Sequence, residues 1–391
     1  MDSFEYYTPT KIVFGRDAEN KAGKLAKEFG FKKALIHYGG ERVKNNGLLQ
    51  KVCAALESCG IEWTPLGGVV PNPRLSKIRE GIEICKAENV DFILAVGGGS
   101  VIDSAKAIGL GLANGGDVWD FYSYKRKPQA CTPVGVVLTI SAAGSEMSES
   151  SVITNEDGGL KRGCSAECTR PKFAMLNPEL TLGLPQFETA CGCVDILMHT
   201  FERYFTCDTP RNIIDSVAEG ICRTVIQSAR ILQTDSANLD ARADVMWAGS
   251  LSHNGLTGGR QYGDWSCHQL EHELSGMFDV AHGAGLAAIW STWAKYVVAH
   301  VPARFAQFAR NVMQVNPTGN DNTDAANGID AFDSFLREIG MPTKISELGI
   351  NLDETQIAEL ARKCSFDNRR KLGEIMELDT ADMANIYRLA K

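Results

Sequence analysis

The first half of the chain alternates short apolar runs with stretches of helical periodicity. Apolar runs at 33–38, 91–96 and 134–139 end at or before glycines, and helix-like stretches at 46–59 and 75–88 lie between them. This alternation predicts an α/β domain in which helices cover a parallel sheet. Ligands bind at the carboxyl ends of the strands in such sheets, so the residues that follow each run are candidates for a binding site.

The pattern changes near Pro185. From there to the end, runs of β-branched residues become scarce, and apolar residues recur at three- and four-residue spacing, as in 215–232 and 329–339. The segment 316–327 is rich in Asn, Asp, Thr and Gly, which predicts an exposed loop. The expected domains are a nucleotide-binding α/β domain over 1–184 and an all-helical, metal-binding domain over 185–391.

Composition narrows the class of protein. A chain of 391 residues is too long for one ordinary core, so two domains are expected. The net charge of −8 argues against nucleic acid or an anionic membrane as the main partner. We find no signal peptide and no apolar run of membrane-spanning length. The twelve cysteines form no CxxC pair, and reduced thiols in the cytoplasm are the simplest expectation.

Histidines are concentrated in one segment. Three of the seven fall within fifteen residues, at His268, His272 and His282. Upstream, Asp195 and His199 are four residues apart, a spacing that places both side chains on one face of a helix. A carboxylate with imidazoles is a ligand set that suits a catalytic divalent ion such as Zn²⁺ or Fe²⁺. The two segments therefore predict a metal site with a chemical role.

A glycine-rich segment, Gly97-Gly98-Gly99-Ser100, follows a predicted strand and opens a predicted helix that contains Asp103. Glycines let a backbone approach a ligand closely, and a helix N-terminus offers free N–H groups to a phosphate. The segment is neither GxGxxG nor a P-loop, so by itself it fits phosphate binding and a plain turn equally well. Its position at a sheet edge, in a chain with a predicted metal site, favours phosphate binding.

Gly39 and Gly40 follow the first predicted strand. NAD-binding sites often carry an acidic residue near there, which bonds the adenosine ribose 2′-hydroxyl. Neither position is acidic here, and Arg42 and Lys44 follow two and four residues later. The glycines leave room for a 2′-phosphate that these cations would face. This favours NADP(H) over NAD(H), with a plain turn as the alternative.

Several further segments complete a family pattern. The matching segments are Asn72-Pro73, Gly97-Gly-Gly-Ser-Val-Ile-Asp103, Gly144-Ser-Glu146, Asp195-x3-His199, His268-x3-His272-Glu, His282-Gly and Leu336-Arg-Glu-Ile-Gly-Met-Pro342. Together they resemble the iron-containing (group III) alcohol dehydrogenase family, and within it the NADPH-dependent butanol dehydrogenase and aldehyde reductase branch. The resemblance spans essentially the whole chain.

The resemblance implies a dehydroquinate synthase-like architecture, with the active site between an α/β domain and an all-helical domain. It implies metal ligation by Asp195, His199, His268 and His282. The implied cofactor contacts are Gly39, Gly40, Asn72, Gly97, Gly98, Gly99, Ser100, Asp103, Thr139 and Lys161. The family usually has Thr before Gly-Ser-Glu, and Ala143 stands there in this chain, so a hydroxyl contact to the cofactor is not expected. Members dimerise through the first strand, here roughly 4–14.

The activity implied is the interconversion of primary alcohols and aldehydes with NADP(H) and one Fe²⁺ or Zn²⁺ per chain. The metal polarises the substrate oxygen and the cofactor carries the hydride. His272 shares a helix face with His268, so a proton relay and a structural role are equal alternatives for it. His37, His253 and His300 are expected to be hydrogen-bonded core residues.

Three other functions are compatible with the ligand set. A metal-dependent hydrolase would use bound hydroxide and no nicotinamide. A glycerol dehydrogenase or dehydroquinate synthase-like enzyme would share the architecture. A metal-binding protein without activity is the third. The glycine loop argues against the hydrolase and the metal-binding protein, because neither needs a dinucleotide cradle.

Overall fold

The computed structural model describes residues 4–207, 212–258 and 263–391. The chain divides into two compact units, one formed by Tyr7–Leu184 and one by Pro185–Lys391. We call them the α/β unit and the helical unit. The described residues before Tyr7, from Phe4 onward, group with the helical unit, whereas the sequence pattern assigned the whole of 1–184 to the first domain.

A parallel sheet forms the centre of the α/β unit. The strands are β1 (Lys11–Phe14), β2 (Lys33–Tyr38), β3 (Glu62–Leu66), β4 (Phe92–Gly97), β5 (Val134–Leu138), β6 (Ser150–Asn155), β7 (Leu160–Ser165) and β8 (Phe173–Leu176). Six of them form the sheet in the order β1-β8-β5-β4-β2-β3, and all the pairings are parallel. The strands β6 and β7 form a separate antiparallel hairpin. Every residue of β4 is buried, as expected for a parallel strand covered on both faces.

Helices pack on both faces of this sheet. The helices of the α/β unit are α1 (Ala22–Glu28), α2 (Arg42–Asn45), α3 (Leu48–Glu57), α4 (Leu75–Glu88), α5 (Gly99–Asn114) and α6 (Trp119–Tyr122). Ile36 of β2 belongs to the apolar cluster that α1 and α3 form against the sheet. The next residue, His37, points to the opposite face, where its Nε2 lies 2.8 Å from Ser104 Oγ on α5. His37 Nδ1 lies 3.0 Å from the Leu66 carbonyl oxygen, so the prediction of a hydrogen-bonded core histidine is confirmed.

The strongest apolar runs were predicted correctly, whereas β3, β6, β7 and β8 were not predicted. The strands β2, β4 and β5 and the helix over 75–88 are confirmed. The prediction that a first strand begins near residue 4 is wrong, because among the described residues up to Phe14 only Lys11–Phe14 pairs with another strand. The strand β3 contains Pro65 and lies at the sheet edge, where a strand accommodates proline without losing a ladder hydrogen bond.

The helical unit consists of nine α-helices among its described residues. They are α7 (Gln186–Tyr204), α8 (Asn212–Thr234), α9 (Leu239–His253), α10 (Ser266–Phe278), α11 (His282–Val297), α12 (Pro302–Asn311), α13 (Asp321–Glu338), α14 (Glu354–Cys364) and α15 (Thr380–Ala390). Their core contains an aromatic cluster in which Phe201, Phe205 and Phe308 pack around Trp290. Within the described parts of the chain, no helix has the length and apolarity that crossing a bilayer requires.

The polar segment 316–327 is not a loop throughout, and this prediction is wrong. The helix α13 begins at Asp321, and the Asn320 side chain caps it by accepting from the Thr323 backbone N–H. Asp324 is fully buried and accepts a hydrogen bond from Arg310. The Asn and Asp residues of this segment cap a helix and form ion pairs. A segment with these roles has the same composition as a loop, so composition does not distinguish them.

Candidate metal centre and cofactor loop

One face of α7 presents three buried polar side chains, Asp195, His199 and Glu202, at spacings of four and three residues. Asp195 Oδ1 is buried and has no hydrogen-bond partner among the described residues. His199 Nδ1 lies 3.0 Å from the Asp195 carbonyl oxygen and 3.1 Å from Oδ1. The Asp195 carbonyl oxygen is the atom that hydrogen-bonds to His199 Nδ1. Oδ1 lies close to the same nitrogen without forming a hydrogen bond to it.

Two further helices bring imidazoles to the same carboxylate. His268, on α10, has its Nδ1 2.7 Å from Glu202 Oε1 and its Nε2 4.0 Å from Asp195 Oδ1. His282, the first residue of α11, has its Nδ1 hydrogen-bonded to Glu271 and its Nε2 3.8 Å from Asp195 Oδ1. In both rings Nδ1 donates to a glutamate, which leaves the Nε2 lone pair directed at Asp195.

Glycines allow the helices to approach this closely. A Cβ atom on Gly283 would lie 2.2 Å from the backbone carbonyl oxygen of Cys191 on α7. Real Cβ atoms do not approach oxygen so closely, so any larger residue would push α11 away from α7. The pair His282-Gly283 therefore combines a candidate ligand with the residue that lets its helix reach Asp195.

The donor set fits a divalent ion. His268 Nε2, like Asp195 Oδ1, is buried without a hydrogen-bond partner among the described residues, which is costly unless something satisfies both atoms. An ion about 2.1 Å from each of two ligand atoms holds them at most about 4.2 Å apart. The separations of 4.0 Å and 3.8 Å lie within that limit. A cation between Asp195 Oδ1 and His268 Nε2 is the simplest partner for both atoms.

The electrostatics suit a cation as well. Burial alone would raise the pKa of the Asp195 carboxyl group, but the neighbouring imidazoles, led by His199 and His282, outweigh burial and hold the pKa well below its usual value. Burial lowers the pKa of His268 well below its usual value, so this ring is neutral at pH 7. An ionised carboxylate beside a neutral imidazole is the protonation state that binds metal.

The structure brings three of the four predicted ligands together. Ligand atoms of Asp195, His268 and His282 lie within 4.8 Å of one another, and Glu271, His272 and His282 form a second such group. His199 belongs to neither group, although its ring centroid lies 4.6 Å from that of His268. Its role as a ligand stays a prediction.

The remaining histidines of the helical unit differ from each other. His253 is buried, as predicted, and its ring stacks on that of His199 with centroids 4.1 Å apart. The prediction that His300 is a core residue is wrong, because it ends a short 3₁₀ turn after α11 and is exposed. Cys267, next to His268, is buried in the apolar core, which confirms the prediction that it is a small core side chain.

The glycine loop of the α/β unit is a strand-to-helix turn, as predicted. The strand β4 ends at Gly97 and α5 begins at Gly99, while the Thr139 N–H donates to the Gly97 carbonyl from the end of β5. A Cβ on Gly97 would lie 2.4 Å from Val101, and one on Gly98 would lie 3.0 Å from Ile140. Packing alone therefore explains these two glycines.

Ser100 and Gly99 are less constrained by packing. Both are partly exposed at the N-terminus of α5, and a Cβ on Gly99 would be 3.4 Å from the Ala143 side chain. Ala143 stands where the family usually has Thr, and it lies beside the first residue of α5. The backbone N–H groups at the N-terminal end of α5 are therefore the part of the loop that is suited to binding an anion.

Asp103 has both carboxylate oxygens engaged within the protein. Oδ1 accepts from Ser145 Oγ at 2.5 Å and Oδ2 accepts from the Val152 N–H at 2.9 Å. Sequence reasoning missed Lys106, which is fully buried one turn later and donates to Ser145 Oγ and to the Ser148 carbonyl oxygen. Burial lowers the pKa of Lys106 to about 8. The two charged residues fasten the segment that contains Gly144-Ser-Glu146 to α5.

The other predicted cofactor residues occupy several loops and strands of the α/β unit. A Cβ on Gly40 would meet nothing within 4 Å, and one on Gly39 would make only ordinary contacts. Asn72 is buried in a left-handed backbone conformation, and Lys161 is buried in β7 opposite Thr154 of β6. Lys44, a candidate for facing a 2′-phosphate, is paired with Glu41 at 2.9 Å.

Comparison with known protein families gives one consistent result for both units. Residues 9–178 match the model described as iron-containing alcohol dehydrogenase. Residues 189–390 match the model of the C-terminal part of the Fe-containing alcohol dehydrogenase family. The two matches together cover most of the chain.

Individual relatives are similar over their full length. The chain is 36% identical to NADH-dependent butanol dehydrogenase A of Clostridium acetobutylicum, with 99% of each chain covered. It is 34% identical to the NADPH-dependent aldehyde reductase YqhD of Escherichia coli, with 100% of each chain covered. The crystal structure of NADH-dependent butanol dehydrogenase A from Thermotoga maritima superposes with a TM-score of 0.96 at 38% identity, covering 100% of this chain and 99% of that one.

Proposed function

The chain belongs to the iron-containing alcohol dehydrogenase family, and from this premise we propose that it interconverts primary alcohols and aldehydes with NADP(H) at a metal centre built on Asp195. It is an oxidoreductase that uses a nicotinamide cofactor and a metal. One observation supports the proposed centre most strongly: Asp195 Oδ1 and His268 Nε2 are buried, lack hydrogen-bond partners among the described residues, and lie 4.0 Å apart.

We propose that Asp195, His199, His268 and His282 hold the ion, either Fe²⁺ or Zn²⁺. A divalent ion held there would polarise the substrate oxygen, and a bound nicotinamide cofactor would carry the hydride. Asp195 supplies the negative charge of the ligand set and the imidazoles supply neutral lone pairs. His272 lies one turn after His268, with its ring centroid 5.6 Å from that of His282, and we propose that it moves a proton to or from the substrate oxygen.

In the α/β unit, the residues proposed to contact the cofactor are Gly39, Gly40, Asn72, Gly97, Gly98, Gly99, Ser100, Asp103, Thr139 and Lys161. The N-terminus of α5 would hold the pyrophosphate of a bound cofactor through its first N–H groups. Asp103 acts mainly by holding the Gly144-Ser-Glu146 segment in place, since its oxygens already accept two hydrogen bonds.

The preference for NADP(H) rests on the end of β2. Gly39 and Gly40 present no carboxylate to a 2′-phosphate, and the space around Gly40 is open. The two relatives described above differ on this point, since one is named NADH-dependent and the other NADPH-dependent.

Gly39→Asp is expected to lower kcat/KM with NADPH by about tenfold, about 1.4 kcal/mol, because a carboxylate would repel the 2′-phosphate. A Cβ at this position makes ordinary contacts only, so the fold should tolerate the change. Butyraldehyde reduction, followed as nicotinamide oxidation, should be faster with NADPH than with NADH in the unmodified protein and lose that preference in the variant.

Gly39→Asn is the matched control, because it adds nearly the same bulk without the charge. It should retain the preference for NADPH. A higher kcat/KM with NADH in the unmodified protein would overturn the assignment of the cofactor. A protein that oxidises neither cofactor with any short aldehyde would overturn the proposed function.

We propose a homodimer that forms through β1. This strand ends the sheet order, pairs with β8 alone among the described strands, and has Phe14 exposed. An exposed strand edge is a ready surface for pairing with a second copy. We also propose a cytoplasmic location, which is favoured by twelve cysteines that form no disulfide.

A further inference from the structure

We infer that Glu202 and Glu271 are positioning residues of the metal centre, each fixing the tautomer and direction of one histidine ligand. The inference rests on the proposed function, since it presupposes that His268 and His282 bind metal. Each glutamate acts through the imidazole to which it is hydrogen-bonded, and not as a ligand of the ion beside Asp195.

Glu202, on α7, orients His268, on α10. Its Oε1 accepts from the His268 backbone N–H at 2.9 Å and from Nδ1 at 2.7 Å. Both groups are almost completely buried, so no water competes for the contact. With Nδ1 committed as the donor, Nε2 carries the lone pair, and that atom faces Asp195 Oδ1.

Glu271 serves His282 from a different helix. It lies on α10, three residues after His268, and its Oε2 accepts from His282 Nδ1 on α11. Its other oxygen accepts from Ser275 Oγ, so the carboxylate is held from both sides. A Cβ on Gly285 would lie 2.7 Å from Glu271 Oε1. The absence of a side chain at Gly285 therefore makes room for the Glu271 carboxylate.

The two contacts form one interlocked arrangement across three helices. The helix α7 supplies Asp195 as a ligand and Glu202 to orient a ligand on α10. The helix α10 supplies His268 as a ligand and Glu271 to orient a ligand on α11. A carboxylate on Nδ1 also makes the imidazole a stronger donor to metal, and loss of such a partner typically costs about 10- to 100-fold in metal affinity.

The test compares two substitutions at each position. Glu202→Gln and Glu271→Gln keep an oxygen acceptor and remove the charge, whereas the Leu variants at these positions remove both. We expect the dissociation constant for Zn²⁺, measured by titration of the metal-free protein, to rise about 10-fold in the Gln variants and about 100-fold in the Leu variants. Gly285→Ala, which keeps the carboxylate and displaces it, should weaken binding as well.

Glu273→Gln is the matched control. Glu273 is as buried as Glu271 and lies on the same helix, and the Nδ1 atoms of His268 and His282 are already bonded to Glu202 and Glu271. The control should leave the dissociation constant unchanged even if it lowers the melting temperature. A general loss of packing would instead weaken metal binding in all the variants.

A spectroscopic signature separates positioning from packing. In the Co²⁺-loaded protein, the Nδ1 protons of ligating imidazoles give hyperfine-shifted proton resonances that exchange slowly when a carboxylate accepts from them. Glu202→Gln and Glu271→Gln should each accelerate exchange of one such resonance. Unmodified protein that binds no divalent ion would overturn the proposed function. If it binds the ion, and the Gln and Leu variants bind as tightly with unchanged resonances, the positioning role is overturned and the metal site stands.

Discussion

Replacing His268 with Ala is expected to remove most of the bound metal and to lower kcat/KM by about 10³-fold or more. His268 Nε2 and Asp195 Oδ1 are buried, lack hydrogen-bond partners among the described residues, and face each other in the helical unit. The loss of His268 leaves the Asp195 carboxylate with one fewer co-ligand and leaves Glu202 without the imidazole. Polarisation of an oxygen by a metal is worth several kcal/mol, and each 1.36 kcal/mol corresponds to about tenfold in rate.

The measurement pairs metal analysis with NADPH-dependent reduction of butyraldehyde. His300→Ala is the matched control, since His300 is an exposed histidine of the same unit. It should keep both metal and activity. A His268→Ala protein that retains its full metal content and activity would show that the centre is assigned to the wrong residues.

His272→Ala is expected to keep its metal and to lose about 10²- to 10⁴-fold in kcat, the range typical of general acid–base catalysis. His272 is buried, and its ring centroid lies 6.4 Å from that of His268 and 5.6 Å from that of His282. It is therefore next to two proposed ligands without being grouped with Asp195. A residue in that place is able to transfer a proton at the substrate oxygen.

The split between kinetic constants identifies the role. If His272 transfers a proton, kcat should fall while KM for NADPH and the metal content stay close to those of the unmodified protein. His272→Gln should lose as much as the Ala variant, because an amide fills the space and does not transfer protons. Unchanged kcat in a metal-loaded His272→Ala protein would leave only a structural role.

Much of the metal centre was predictable because it depends on helical spacing. The four-residue gap between Asp195 and His199 is enough to place both side chains on one face of a helix. The same logic extends to Glu202, three residues after His199, and to Glu271, three residues after His268, and sequence reasoning overlooked both. Sequence spacing does not predict which side chains of different helices contact each other. Glu202, for example, orients His268, which lies 66 positions later.

Other predictions failed where composition has two physical meanings. Asn320 and Asp324 were predicted to be loop residues, but they cap and brace a helix. The cofactor contact of Asp103 stays a prediction, and the structure adds a second role for this residue, because its oxygens accept hydrogen bonds from Ser145 and Val152. A polar residue inside a motif either binds the ligand itself or holds in place the loop that binds it. Only the tertiary contacts distinguish these two roles.

Short strands were missed for a related reason. The strand β8 has only four residues, and it is defined by its pairing with β1 and β5 on either side. The strand β4, with six consecutive buried residues, needed no such context. Strand propensity reports how well a side chain packs on a half-buried surface, so it is weakest where the partner is distant in the sequence.

The most direct test of the metal centre is removal and return of the ion in the unmodified protein. The protein is stripped with a chelator, and Fe²⁺ or Zn²⁺ is then added in steps while NADPH oxidation by butyraldehyde is followed. We predict negligible activity in the stripped protein and recovery that saturates at about one equivalent of ion per chain. Full activity in the verified metal-free protein, or metal-loaded protein that does not oxidise NADPH, would contradict the account.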